Sequence, residues 1–269
     1  MSDLLRELFA AKRLRRTENE RRESYAELAE RAEARRTERR PFAAALASAR
    51  GGALVAEIKR ASPSAGTIVT TFDVAATAAR YDRAGADAIS VLTEESRFLG
   101  DLAHLDVARA ASSLAILRKD FLSDPYDVVQ SAAYGADAIL LIVAGLDDFT
   151  LQRLRKEAQR FGLETLVEVH DERELVRAIG LQPAVIGVNN RDLRTFVTDL
   201  TVSERLIPRI PQRIVAIAES GVRTSADAAR LAASGARGVL VGESLMRDDD
   251  PEELARALKA AWAGAGALT

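Results

Sequence analysis

The 269-residue chain contains no cysteine and only two histidines, His104 and His170. The absence of cysteine excludes disulfide bonds, thiolate catalysis and cysteine-ligated metal sites. Two histidines also argue against a histidine-rich metal centre, because such centres draw on several imidazole ligands. We therefore expect no metal site in this protein.

Long apolar runs and an excess of one charge are absent as well. No apolar stretch approaches the roughly 18 residues that a membrane-spanning helix requires, and residues 1–6 lack the apolar core of a signal peptide. Lys and Arg number 38 against 40 Asp and Glu, so the balance indicates neither nucleic acid nor a membrane as a partner. We expect a soluble cytoplasmic protein of one large α/β domain or two smaller ones.

Residues 1–50 differ from the rest, since they are rich in Arg, Glu and Ala and contain no strand-like run. Leu4, Leu5, Leu8 and Phe9 recur at helical spacing and predict a helix. The charge-dense residues 13–40 are predicted to form a solvated helical face, because interleaved Glu residues argue against a nucleic-acid arm.

From residue 51 onward, short aliphatic runs alternate with alanine-rich amphipathic segments. Eight such units in a little over 200 residues predict a single closed (β/α)8 TIM barrel, and an open doubly wound sheet would want a glycine-rich fingerprint that is missing after the first run. The predicted strands are Leu54–Lys59, Ala88–Leu92, Leu114–Lys119, Ala138–Val143, Thr165–Val169, Val185–Asn189, Ile214–Glu219 and Gly238–Val241.

Several helix boundaries are marked by capping signals. Asp124-Pro125 and Asp250-Pro251 each place an N-cap residue before a proline suited to the first helical position, and Thr224 with Asp227 resembles a capping box. Left-handed C-caps are predicted at Gly85, Gly135, Gly162, Gly180 and Gly235.

Charged and polar residues end several predicted strands, although a buried strand should exclude charge. Glu57 and Lys59 lie two residues apart and so share one face of the first strand. In a closed barrel all strand ends meet at one mouth, and a set of such residues is hard to explain by stability because each costs desolvation. We predict an active site formed by Glu57, Lys59, Lys119, Glu168, Asn189 and Glu219.

The loops after the last two strands predict an anion site. Ser220-Gly221-Val222 follows the seventh strand, and Gly242–Met246 follows the eighth and can start a short helix. Glycines admit a ligand close to backbone N–H groups, and barrels often bind phosphate at this place. Ordinary turns are the alternative, and Arg191 is either an anion contact or a surface residue.

Apolar residues near other strand ends suggest a hydrophobic slot. Phe98 follows the second strand, Phe121 the third and Leu193 the sixth. Each of the two phenylalanines can equally be a core residue, so both interpretations stay open.

Taken together, these segments resemble the indole-3-glycerol phosphate synthase family. The resemblance runs in the same order from about residue 54 to residue 250. The matching stretches are Ala56–Ser64, Ser90–Thr93, Leu117–Phe121, Leu166–His170, Gly187–Leu193, Glu219–Gly221 and Val241–Met246.

The resemblance implies a carboxy-lyase of tryptophan biosynthesis that acts on a small phosphorylated substrate without a cofactor. It converts 1-(2-carboxyphenylamino)-1-deoxyribulose 5-phosphate to indole-3-glycerol phosphate, carbon dioxide and water. It also implies that residues 1–50 form a helical extension over the mouth of a catalytic barrel of residues 51–269. The oligomeric state stays open, with a monomer favoured.

The resemblance also implies roles. Lys119 would be the general acid on the ribulose carbonyl oxygen, Glu168 would stabilise the iminium or act as base, and Glu57 with Lys59 would share proton transfer in dehydration. The remaining residues would position the substrate and Lys119 (Asn189 and Glu219), hold phosphate (Ser62, Gly221, Gly242 and Ser244), flank the anthranilate ring (Phe98, Phe121 and Leu193) or make other substrate contacts (Arg191 and Ser220).

Elementary chemistry adds one expectation and leaves two alternatives. A second lysine and a dry pocket would lower the pKa of the catalytic lysine, so that it exchanges protons near neutral pH. Lys59 or Lys119 could instead form a Schiff base in another phosphate-binding barrel enzyme. A barrel that binds a phosphorylated ligand without catalysis is the other alternative.

Overall fold

Eight parallel strands close into a barrel in this computed structural model, which describes residues 2–265. Each strand pairs with the next, and the last returns to pair with the first through Ala53 and Gly238. This confirms the (β/α)8 barrel. The strands are β1 Ala53–Ile58, β2 Ala88–Leu92, β3 Ala115–Lys119, β4 Ala138–Ile142, β5 Glu164–Val169, β6 Val185–Asn189, β7 Val215–Glu219 and β8 Gly238–Val241.

Helices surround the barrel and precede it. A two-stranded hairpin, Ala61–Ser62 with Gly66–Thr67, follows β1, and short 3-10 turns occupy Arg36–Glu38, Val143–Gly145 and Ile207–Arg209. Within residues 2–265, no helix combines the length and apolar character needed to cross a membrane. The helices are α1 Asp3–Arg22, α2 Tyr25–Ala34, α3 Phe42–Ser48, α4 Val74–Arg83, α5 His104–Ala111, α6 Pro125–Ala133, α7 Asp148–Arg160, α8 Glu172–Gly180, α9 Thr201–Leu206, α10 Ser225–Ala233, α11 Glu243–Arg247 and α12 Pro251–Ala265.

Alternation along each strand separates the barrel interior from the helix layer. On β3, Lys119 reaches the cavity at the barrel mouth, whereas Arg118 is buried on the other side. There the Arg118 guanidinium donates to Ser131 Oγ of α6 at 3.0 Å and to Asp120 Oδ2 at 2.8 Å. Lys119 therefore belongs to the cavity, and Arg118 to the layer between the barrel and α6.

The capping predictions hold with one exception. Asp124 and Thr224 each form a capping box, and Asp250 accepts from the backbone N–H of Glu253 at 3.1 Å. The predicted glycines are left-handed except Gly180, which is the last residue of α8. The C-cap prediction there is wrong, because the helix continues through the glycine and Gln182 takes the left-handed conformation instead.

Two half-buried arginines at the end of the charge-dense segment, Arg39 and Arg40, lie between helices and donate to backbone carbonyls. Arg39 donates to the carbonyl oxygens of Ala136 and Ala132 at 2.9 and 2.8 Å, and Arg40 donates to that of Leu114 at 2.7 Å. The prediction of a solvated face is wrong at these arginines. Their multiple donors satisfy carbonyls at the end of α6 and before β3, which a sequence pattern cannot reveal.

Candidate active site

A cavity of about 520 Å³ opens at the carboxyl ends of the strands. Leu4, Leu5 and Leu8 of α1 form part of its wall. Every predicted site residue except Glu219 lines it: Glu57, Lys59, Ser62, Phe98, Lys119, Phe121, Glu168, Asn189, Arg191, Leu193, Ser220, Gly221, Gly242 and Ser244. The barrel therefore brings together residues that are spread over most of the chain.

Lys119 lies among three buried carboxylates from three other strands. Its Nζ is 2.5 Å from Glu219 Oε2 on β7, 3.7 Å from Glu168 Oε2 on β5 and 3.9 Å from Glu57 Oε2 on β1. The second lysine, Lys59, donates to Glu57 Oε1 at 2.6 Å. The two cations and three carboxylates thus form one connected charge network.

The charge network raises the pKa of Lys119. Burial alone would lower that pKa, but the carboxylates of Glu219, Glu168 and Glu57 outweigh burial. Burial likewise opposes ionisation of Glu57, yet Lys59 and Lys119 lower its pKa. The expectation of a lowered lysine pKa is therefore wrong, because the nearest charges around Lys119 are negative and Lys59 is paired with Glu57.

Glu219 lies beneath the cavity and contacts Lys119. Its side chain is fully buried, and burial raises its pKa. Oε2 accepts the hydrogen bond from Lys119, while Oε1 has no hydrogen-bond partner among the described residues. Glu219 therefore anchors Lys119 from below.

Two glycines provide the space that the carboxylates occupy. A Cβ on Gly187 of β6 would lie 1.9 Å from Glu219 Oε1, and one on Gly242 would lie 2.2 Å from Glu57 Oε1. From the sequence, Gly242 is predicted to bind phosphate and Gly187 has no predicted role. A glycine inside a strand is a recognised sign of close approach, so the signal at Gly187 was present.

The part of the cavity formed by the loops after β7 and β8 has the features of an anion site. Ser220 and Gly221 line the cavity and have φ angles of 65° and 89°, so the chain turns sharply directly after β7. The short helix α11 begins beside them, where Ser244 Oγ donates to Val222 O at 2.8 Å. The Ser244 hydroxyl thus fixes the two loops to each other.

Arginines surround this end of the cavity. Arg191 donates to Ser64 Oγ, and its Nη2 lies 3.8 Å from Glu243 Oε2. Arg223 and Arg247 line the cavity as well, although sequence reasoning gave them no role. Both follow the predicted phosphate loops closely, and their position there was the available signal.

The aromatic slot is built from the barrel and from α1. Phe98 and Phe121 have ring centroids 6.1 Å apart, and Phe9 meets Phe121 edge-on at 5.7 Å. Phe9 was predicted only as part of a helical face. Because Phe98 and Phe121 are half-buried and line the cavity, they present apolar surface to whatever occupies it.

Asn189 and Asn190 have different surroundings at the end of β6. Asn189 lines the cavity and accepts from the backbone N–H of Arg191 at 3.0 Å. Asn190, which sequence reasoning left without a role, donates to the carbonyl oxygens of Glu219 and Ser220 at 3.0 and 3.1 Å. It therefore fixes the end of β7, from which Glu219 extends.

Comparisons with known proteins give one family. The family model described as indole-3-glycerol phosphate synthase matches residues 5–258. Proteins of that name from Acidithiobacillus ferrooxidans and from a Nocardioides species are 46% and 50% identical to this chain. The first match covers 93% of this chain and 96% of the relative, and the second covers 77% and 80%.

More distant solved structures share the fold. The structure described as KGPDC from Streptococcus mutans superposes with a TM-score of 0.61 at 16% identity, covering 81% of this chain and 100% of that one. Thiamine phosphate pyrophosphorylase from Pyrococcus furiosus superposes at 0.60 with 14% identity, covering 80% and 96%. These likenesses show the barrel fold alone. The family match and the relatives show more: the chain belongs to the indole-3-glycerol phosphate synthase family.

Proposed function

We propose that the cavity described above is the active site for the activity of this family, and that its residues have the roles set out below. The chain has that activity, which is a carboxy-lyase step of tryptophan biosynthesis on a small phosphorylated substrate. The reaction closes a ring onto a carbonyl carbon, expels carbon dioxide and then eliminates water. Each stage moves a proton, so the site must contain groups that give and accept protons.

Lys119 donates the proton that the carbonyl oxygen needs as the ring closes. An alkoxide develops on that oxygen, and a positioned acid stabilises it. The raised pKa keeps Lys119 an ammonium group, and its bond to Glu219 fixes the Nζ position. A neutral amine would be the starting form for a Schiff base, so these contacts favour the general acid over the aldolase alternative.

Glu168 and the pair Glu57–Lys59 act in the steps that follow ring closure. Glu168 Oε2 lies 3.7 Å from Lys119 Nζ and borders the cavity, where a carboxylate stabilises a developing iminium or removes a proton. Lys59 and Glu57 share a hydrogen bond of 2.6 Å, so one can give and the other accept a proton during dehydration. Asn189 then positions the substrate hydroxyls.

The substrate is held at both of its ends. Its phosphate binds Ser62, Gly221, Gly242 and Ser244, with Arg191 and Ser220 as further contacts. Its anthranilate ring lies among Phe98, Phe121 and Leu193, under the leucines of α1, which covers the mouth. Fixing both ends contributes to catalysis by removing translational and rotational freedom before reaction.

One observation carries the proposal: Lys119 Nζ lies within 3.9 Å of carboxylates from three strands at the cavity wall. The test supplies the carboxyphenylamino substrate to the purified chain and follows indole fluorescence. We expect product fluorescence to rise, and borohydride added with substrate to leave no covalent adduct on either lysine. A trapped adduct without indole product would support the aldolase alternative and contradict these roles.

The phosphate end is tested separately. Ser244→Asp places a carboxylate at the predicted phosphate position, so it should raise KM by charge repulsion while leaving kcat less affected. An unchanged KM would contradict the phosphate assignment. Ser225→Asp, in the first turn of α10, is the matched control with the same change in charge, and its KM should stay as in the parent.

A further inference from the structure

His170 lies behind Glu168 and takes no part in the roles proposed above. It follows β5 directly and does not line the cavity. Its Nε2 lies 3.4 Å from Glu168 Oε1, and its Nδ1 lies 3.0 Å from Glu174 Oε2 on α8. The imidazole thus stands between two carboxylates, one of which borders the active site.

Glu174 clamps the histidine from the outer side. Besides the imidazole, Glu174 Oε2 accepts from the backbone N–H of His170 at 2.8 Å. A carboxylate that contacts both the ring and the backbone of one histidine fixes the ring orientation. With Nδ1 held by Glu174, Nε2 is directed toward Glu168.

The Nε2 side of the imidazole has weaker hydrogen-bond contacts than the Nδ1 side. Nε2 is buried and makes no hydrogen bond of normal geometry to any described residue. The 3.4 Å separation from Glu168 Oε1 is long, but catalytic contacts often tighten only when substrate binds.

We propose that His170, as an imidazolium held by Glu174, is a positioning residue that holds Glu168 by its Oε1 and so keeps Oε2 aimed at Lys119. This inference rests on the proposed role of Glu168. His170 acts through Glu168 and does not contact the substrate.

The charges that face His170 favour its protonated form. Burial alone would lower its pKa, but the hydrogen bond to Glu174 and the charges of Glu168, Glu174 and Glu219 raise it. These groups come from α8, β5 and β7. As the pH rises through this raised pKa the imidazolium loses its charge, so the hold on Glu168 weakens on the alkaline side.

Paired variants separate positioning from packing. Gln places its amide nitrogen near the Nε2 position, whereas Asn places it near Nδ1. We expect His170→Asn to lower kcat by roughly 10- to 100-fold with KM unchanged, and His170→Gln to recover much of that loss. The alkaline step in kcat that belongs to His170 should vanish in both variants. His104→Gln, at the only other histidine, is the matched control and should behave like the parent.

Equal losses in both variants with the alkaline step intact would overturn the proposal, because they would indicate packing alone. So would parent-like kcat in both. A second measurement needs no turnover: titration of the two histidines by NMR in the full chain. Glu174→Gln and Glu168→Gln should each lower the pKa of His170 and leave that of His104 unchanged.

If Glu168→Gln left the pKa of His170 unchanged, the inference would be overturned, whatever the activity of the variants. A failure of the proposed function would look different. Glu168→Gln would then keep the parent turnover, while the NMR titration would still report the contact between His170 and Glu168.

Discussion

The charge on Lys119 is set by side chains from three other strands, and no local sequence feature reports that arrangement. Alternation within a strand was enough to predict that Glu57 and Lys59 share a face, and the structure confirms their contact at 2.6 Å. It was not enough to predict the pKa of Lys119, because that depends on which charges surround it across the barrel. The charged residues of the site could therefore be predicted from the sequence, whereas the pKa of Lys119 could not.

Gly187 offers a test of how tightly the site is packed. Gly187→Ala should push Glu219 away from its position under Lys119, because the new Cβ would lie 1.9 Å from Glu219 Oε1. Overpacking of this kind costs roughly 1–3 kcal/mol of stability, and we expect turnover to fall as Lys119 loses its anchor. Denaturant unfolding and the indole assay measure the two effects.

Gly180→Ala is the control for this substitution. Apart from its chain neighbours and the backbone of its own helix, no atom lies within 4 Å of a Cβ at Gly180. The residue is helical, so stability and turnover should stay near those of the parent. Parent-like stability and turnover in Gly187→Ala would show that the packing around Glu219 is not required.

Secondary-structure elements were predictable wherever local chemistry decides them. All eight strands lie where the aliphatic runs predicted them, and the capping boxes at Asp124 and Thr224 formed because a side chain meets a backbone N–H three residues away. Contacts between residues far apart in the sequence were not predictable. One case is the hydrogen bond from Arg39 to the carbonyl oxygen of Ala132 at the end of α6.

Helix α1 is joined to the end of β3, beside the cavity, by a buried ion pair that the sequence did not reveal. Lys12 donates to Asp120 Oδ2 at 2.5 Å, and Asp120 comes directly after Lys119. Lys12→Ala should lower the free energy of unfolding by roughly 1.5–3 kcal/mol, as for loss of a hydrogen bond to a charged group. It should also raise KM, because Leu5 and Leu8 on the same helix line the cavity.

Arg6→Ala is the matched control on α1. Arg6 pairs with Asp3, and both side chains are largely exposed, so neither stability nor KM should change noticeably. If Lys12→Ala and Arg6→Ala behaved alike, the buried pair would have no part in holding α1 over the mouth.

For the whole molecule, the number of β/α units was predictable and so was the meeting of strand ends at one mouth. Both features follow from closure of the sheet into a barrel. Because β8 pairs with β1, Glu57 and Glu219 lie near the same lysine, Lys119. The depth of each residue was not predictable: Glu219 was expected at the cavity and lies beneath it. Depth depends on the packing of all eight strands together.

Acid should remove the stability that the buried carboxylate of Asp120 contributes. Burial would raise the pKa of Asp120, but Lys12 and Arg118 hold it well below the ordinary 3.8. A carboxylate with a depressed pKa contributes stability above its unfolded-state value and loses it as the pH falls further. Asp120→Asn should therefore be less stable than the parent at neutral pH, and the difference should shrink toward about pH 3. Urea unfolding at both pH values checks this, and a difference that grows on acidification would contradict it.

Lys119 is the proton donor in the proposed mechanism, so its removal tests that mechanism most directly. Lys119→Ala should lose on the order of 10² to 10⁴ in kcat, the usual contribution of general acid–base catalysis, as measured by indole fluorescence at saturating substrate. Lys156→Ala, at an exposed lysine of α7, should retain the parent kcat. A folded Lys119→Ala variant that turns over as fast as the parent would contradict the account.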